Sequence, residues 1–121
     1  MEKMQKNSLN FEQGNIIIAN ILYSQQVGFK RRPVLVISNS KYNKHSDDLI
    51  VLSVSSTEPK EKYDLKLTNK DLTEGELRVD SKILTDFPTT IEKSVVTESI
   101  GKISNQKLKE VKQKIKELYE L

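Results

Sequence analysis

The apolar residues of this chain arrive in short β-branched runs, and that spacing confines it to a small β-rich fold. The runs Ile16-Ile17-Ile18-Ala19-Asn20-Ile21-Leu22, Val34-Leu35-Val36-Ile37 and Leu49-Ile50-Val51-Leu52-Ser53-Val54 are rich in strand formers and too brief for packed helices. Pro33 opens the second run, where a strand need lose no ladder donor. The third is almost continuously apolar, as burial on both faces requires. Tyr63, Leu65 and Leu67 alternate with Asp64, Lys66 and Thr68, the period of a half-exposed strand. Leu77 to Asp80, Ile83 to Thr85 and Val95-Val96 predict further short strands. Ser24 to Arg32 reads as a polar connection and Lys41 to Asp48 as a loop. Asn69 to Leu72 reads as one helical turn, after which Gly75 resets the chain.

The end of the chain changes period. Leu108, Val111, Ile115 and Leu118 recur at intervals of three and four, which defines one helical face. Ser104 or Asn105 can cap it, and lysines cover the other faces. This face is expected to pack on the chain's own sheet. The fold class is therefore mainly β with a C-terminal helix (α+β), closed as a small, strongly bent antiparallel sheet or barrel. The polar residues 1–12 are expected to be a flexible N-terminal segment. Residues 13–121 form a single domain whose helix spans 104–120.

Composition removes several kinds of chemistry. The chain has 121 residues, no cysteine and one histidine. Disulfide frameworks, thiolate zinc sites and cysteine nucleophiles are excluded, as is any site that needs two imidazoles. His45 beside Asp47-Asp48 is too poor in ligands for a metal, so neither metal nor cofactor is expected. No apolar run approaches the roughly 20 residues of a membrane helix. The expectation is a cytoplasmic protein with no membrane partner.

The net charge is +3, and its placement is uneven. Residues 1–60 carry 8 Lys/Arg against 5 Asp/Glu, whereas residues 61–121 carry 12 of each. No carboxylate lies between Gln13 and Ser46, but Lys30, Arg31, Arg32, Lys41 and Lys44 do. Such a stretch attracts polyanions, although solvated lysines alone would read the same way. Within it Arg32 precedes Pro33, whose fixed backbone restrains its neighbour at the mouth of a strand. A guanidinium held there is suited to a bidentate grip on phosphate. Tyr23 and Phe29 flank the basic segment and offer rings for base stacking, or packing against the barrel.

Several segments in register resemble one family. Gly14-Asn15-Ile16-Ile17-Ile18, Arg32-Pro33-Val34-Leu35-Val36-Ile37-Ser38-Asn39, and Leu49 through Ser56 follow the order and spacing of the MazF/PemK/Kid toxins. Ser81 to Lys93 resembles the family segment that ends in Thr-Ile-Asp, and Gly101-Lys102-Ile103-Ser104 matches ahead of the final helix. The resemblance covers about residues 13–120. It implies an SH3-like barrel of the MazF/CcdB type, usually a homodimer. It implies the toxin of a type II toxin–antitoxin system: a metal-independent, sequence-specific endoribonuclease that cleaves single-stranded messenger RNA. Its implied partners are RNA, a small acidic cognate antitoxin, and promoter DNA bound together with that antitoxin.

The resemblance also implies site residues. The family's catalytic arginine matches Arg32 and its catalytic threonine matches Ser55. Serine keeps the hydroxyl but lacks the methyl group that restrains the rotamer. Asn15 stands where the family usually has an acidic residue. Arg78-Val79-Asp80 imitates the Arg-x-Asp pair of the Kid branch. Anchoring on Pro88 to Glu92 instead puts that branch's acidic residue at Asp86, with Leu84 where it has arginine, and makes Asp86 a further catalytic candidate that could take the 2′-hydroxyl proton. Lys30, Arg31, Ser38, Asn39 and Ser56 are expected to contact RNA beside these groups. Two other readings stay open: a nucleic-acid-binding module of the same barrel with little or no activity, and a CcdB-like gyrase poison.

Overall fold

A computed structural model describes residues 11–24 and 28–121. The expected flexible segment 1–12 therefore lies almost wholly outside the described residues. Seven strands are described: β1 (Asn15–Ser24), β2 (Gly28–Val36), β3 (Asp48–Ser55), β4 (Asp64–Leu67), β5 (Leu72–Gly75), β6 (Ser81–Glu92) and β7 (Val96–Ile103). Two α-helices accompany them, α1 (Ser40–His45) and α2 (Asn105–Tyr119), with 3-10 turns at Asn69–Asp71 and Lys93–Val95. The strands form one antiparallel sheet in the order β4-β6-β3-β2-β1-β7-β5.

Period-two alternation splits the central strands between two cores. Ile16, Leu35, Leu52, Val54, Ile83 and Ile103 join one buried cluster. Their chain neighbours Ile17, Val34, Val36 and Val51 join another, with Ala19, Leu49, Ile91 and Val96. A sheet apolar on both faces must coil to cover both. Register shifts of β7 along β1 and of β6 along β3 supply that bend. Helix α2 closes the first cluster with the predicted face: Val111 is fully buried, and Leu108 and Ile115 pack beside it. Ser104 caps this helix, accepting from the Lys107 N–H at 3.1 Å.

Three expectations are corrected. The segment expected as a loop from Lys41 holds α1. Asn39 caps it, accepting from Tyr42 N–H at 2.7 Å, and the buried Asn43 amide donates to the carbonyls of Phe11 and Ser38 at 2.8 and 3.0 Å. Pro33 lies inside β2, not at its start, because the hairpin with β1 continues back to Gly28. The β2–β3 ladder begins only at Val34, directly after the proline. Leu77 to Asp80 is irregular, and Ile83 to Thr85 belongs to the longer β6. Pro88 is tolerated within β6 because β4 pairs only with the stretch Ser81 to Leu84, so no strand among the described residues pairs with the outer side of Pro88.

Candidate active site

The basic end of β2 opens onto a cavity of about 530 Å³. Its floor is apolar, from Ile18, Pro33, Val54, Leu77, Val79 and Ile100. Its polar lining is Arg31, Arg32 and Arg78 with Ser56, Ser81, Glu76 and Glu98. Three arginines against two glutamates in the lining leave an excess of positive charge at this end of the sheet.

Each wall has a local cause. β2 delivers Arg31 and Arg32, one on either face of the strand by alternation. The wall containing Arg78 depends on Gly75 and Asn69. Gly75 has φ +75°, and a Cβ there would meet the Ile100 carbonyl oxygen at 1.9 Å, so only glycine lets the chain turn against β7 at this point. Asn69 then grips Leu77 at both ends of its backbone, accepting from its N–H at 2.6 Å and donating to its carbonyl at 3.2 Å. Glu76 and Arg78 are thereby held at the rim. Arg31 is ion-paired with Glu98 and reaches Thr97 Oγ1 at 3.5 Å. Both partners are more than half exposed, so this pair stabilises the fold by only about 0–1 kcal/mol and is open to competition.

Arg32 and Ser55 occupy corresponding positions just past the paired stretch of β2 and β3. The β2–β3 ladder ends at the pair Val34↔Ser53, and two residues further along each strand stand Arg32 and Ser55. Alternation puts both on one face. Ser55 lies between the lining residues Val54 and Ser56 and is not itself in the lining. Its hydroxyl is bonded to that of Thr57 at 3.0 Å and accepts from the Thr57 N–H at 3.3 Å. Across the sheet Ser55 pairs with Lys82. Lys82 Nζ is buried, 3.0 Å from Asp64 Oδ2, and donates to the Glu58 carbonyl at 3.2 Å. The same carboxylate oxygen accepts from Lys60 N–H and Glu61 N–H, each at 2.9 Å. The Lys60 N–H does most to lower the Asp64 pKa to about 2; burial opposes it, while Glu61 N–H and Lys82 assist.

The other predicted residues are scattered. Lys30 and Phe29 are exposed on β2, and Phe29 retains 69% of its accessible surface, so it is not a core residue. The side chain of Tyr23 lies outside the described residues. Ser38 is buried, its hydroxyl donating to Asn43 Oδ1 and accepting from Ile50 N–H at 3.0 Å, and Asn39 is the cap of α1. Asp86 is exposed where β6 bends and is not part of the cavity lining. His45 is exposed at the end of α1. Among the described residues no three His, Asp or Glu cluster as metal ligands, and no helix is long and apolar enough to cross a membrane. Sequence reasoning missed Glu76, Ser81 and Glu98. It set Arg78 aside with the Arg-x-Asp imitation, yet that residue reaches the cavity without Asp80. The only local signal was Gly75, a turn glycine directly before the Glu76-Leu77-Arg78 wall.

Known proteins share this arrangement of strands. A chain of the MazE–MazF crystal structure (Form-III) from Deinococcus radiodurans superposes with a TM-score of 0.76 at 23% identity, over 93% of this chain and 99% of that one. The Mycobacterium tuberculosis toxin MazF-mt6 gives 0.72 at 20% identity, over 88% and 97%. An endoribonuclease in complex with its cognate antitoxin, from Mycobacterial species, gives 0.72 at 13% identity, over 93% and 95%. No curated protein matches in sequence. The profile of PemK-like, MazF-like toxins of type II toxin–antitoxin systems matches residues 12–119. With nearly the whole chain matched and the fold shared, this protein belongs to the PemK-like, MazF-like toxin family of type II toxin–antitoxin systems.

Proposed function

We propose that this chain is a toxin that acts as a metal-independent endoribonuclease on single-stranded RNA. The observation that carries the reading is the end of the β2–β3 pairing, where Arg32 and Ser55 stand on one face of the sheet at the edge of a cavity whose lining includes Arg31, Arg32 and Arg78. RNA brings its own nucleophile. The 2′-oxygen attacks phosphorus and the bond to the 5′-oxygen breaks. The proton lost from the 2′-hydroxyl is balanced by the one gained at the leaving 5′-oxygen. The products are a 2′,3′-cyclic phosphate and a 5′-hydroxyl. The protein's work is to hold the backbone in line and to stabilise charge that grows on the phosphate oxygens. Arg32 supplies a fixed cation with fork geometry, and Ser55 a neutral donor on the same face. A cognate acidic antitoxin that covers the basic rim would restrain this activity, and the pair would bind promoter DNA. A second copy of the chain is the expected partner for the exposed stretch Asp86 to Thr90, where no strand among the described residues pairs with the outer edge of β6.

The test is to incubate the purified protein with a long mixed-sequence RNA in excess chelator and map the new 5′ ends. Cleavage at a recurring short motif, with 5′-hydroxyl ends and a rate unchanged by chelator, is the expected result. Binding without cleavage would support the inactive-module reading, and intact RNA here together with trapped DNA breaks in a parallel assay with gyrase and DNA would support the gyrase-poison reading.

The Arg31–Glu98 pair yields a second prediction. Glu98→Gln removes the carboxylate that competes with phosphate for Arg31. RNA affinity at low salt is expected to rise severalfold, and the log–log salt slope to steepen by about 0.7, the signature of one added phosphate contact on a single strand. A fluorescence anisotropy titration across salt concentrations measures both; an unchanged slope would mean that Arg31 is not a phosphate contact.

A further inference from the structure

Ser55 lacks the β-methyl group that would restrain a threonine at this position. The structure surrounds its hydroxyl with a different restraint. A serine oxygen has one hydrogen to give and two lone pairs to fill. Thr57 offers both kinds of donor: its N–H points to Ser55 Oγ at 3.3 Å, and its hydroxyl lies 3.0 Å from the same atom. The first contact is the local turn in which a serine oxygen bonds the amide two residues on. With the Thr57 hydroxyl as donor in the second, both lone pairs are occupied and the Ser55 hydrogen is left to point elsewhere.

Thr57 is itself exposed, so its position must be set from outside. The chain directly after it is pinned at the Glu58 carbonyl by Lys82, and at the Lys60 and Glu61 amides by Asp64. Lys82 is also the residue opposite Ser55 in the β3–β6 ladder. One buried ion pair thus anchors the segment on which Thr57 stands and the strand position facing Ser55.

We propose that Thr57 is a positioning residue for Ser55, its N–H and hydroxyl filling the acceptor sites of Ser55 Oγ so that the serine hydrogen is presented to a phosphate oxygen of bound RNA. This rests on the nuclease reading above. In this role Thr57 acts through Ser55 rather than on the phosphate. It replaces, by two hydrogen bonds, the rotamer restraint that a threonine at position 55 would carry in its own methyl group.

Single-turnover cleavage and RNA affinity, measured on six proteins, test this. Thr57→Val keeps size and branching and removes the hydroxyl. It is expected to slow cleavage about fivefold to tenfold, the scale of one lost hydrogen bond, with RNA affinity and the melting curve unchanged. Thr57→Ser keeps the hydroxyl and is expected to cleave at the wild-type rate. Ser55→Thr combined with Thr57→Val is expected to recover the rate, because the methyl group restores the restraint. Adding Thr57→Val to Ser55→Ala is expected to slow cleavage no further than Ser55→Ala alone. Wild-type rates in Thr57→Val, or an equal loss in the Ser55→Ala background, would overturn the proposal. Absence of cleavage by the wild-type protein would instead remove the nuclease reading itself.

Discussion

Arg32→Ala is expected to lower RNA cleavage by about 10²- to 10³-fold, the usual loss when one preorganised donor to a developing oxyanion is removed. The size of the effect follows from how the side chain is held. Arg32 is paired with Ala19 on β1, just beyond the end of the β2–β3 ladder, and the next residue has a locked φ. Its charge therefore needs little reorganisation as the phosphate becomes more negative. Lysine at the same position keeps the charge but loses the fork, so Arg32→Lys is expected to recover only part of the rate. RNA affinity should fall much less than the rate, because Arg31 and Arg78 remain at the cavity. A loss confined to affinity would make Arg32 a binding residue and leave the chemistry without its cation.

The second large effect is on stability. Lys82→Met is expected to destabilise the fold by about 3–5 kcal/mol, because it strands the Asp64 carboxylate in a site that is nearly closed to water. For a domain of this size that lowers the melting temperature by on the order of 15 °C. Replacing both partners with apolar residues of similar volume should return most of the loss, since neither charge is then left uncompensated. Thermal melts of the single and double variants measure the difference, and a double variant no more stable than Lys82→Met would contradict it. The pair also predicts an acid response. Asp64 titrates near 2 in the folded chain against an ordinary value of 3.8. A carboxyl with a depressed folded pKa contributes stability that is fully present above about pH 4 and lost as the pH falls through 2. Asp64→Asn is therefore expected to flatten the stability–pH curve in that window.

How much of this was legible in the sequence depended on whether a periodic pattern or a single residue set the outcome. The β-branched runs at 16–22, 34–37 and 49–54 specified three central strands, and the 108–118 stripe specified α2 with its Ser104 cap, because many side chains act together in each. Helix α1 has no apolar stripe. It is held by Asn39 as cap and by one buried amide, Asn43, and neither signal stands out in a polar stretch. β6 extends through Pro88 because one flank is unpaired, a fact of topology that no local rule contains. The site divides in the same way. Arg32 was legible from the Arg-Pro junction. Glu98 was not, because it reaches Arg31 across a sequence separation of 67 residues. Arg78 depends on a glycine turn whose direction is fixed only by β7. Ser38 and Asn39 belong to the fold's own hydrogen bonding, which their place after a strand did not distinguish from a role in RNA contact.

The most direct test compares wild-type and Arg32→Ala proteins on one mixed-sequence RNA in excess chelator, with identification of the end groups. The expected result is 2′,3′-cyclic phosphate and 5′-hydroxyl ends from the wild-type protein and a rate at least about a hundredfold lower from the variant. Equal rates from the two proteins, or wild-type cleavage that chelator abolishes, would contradict it.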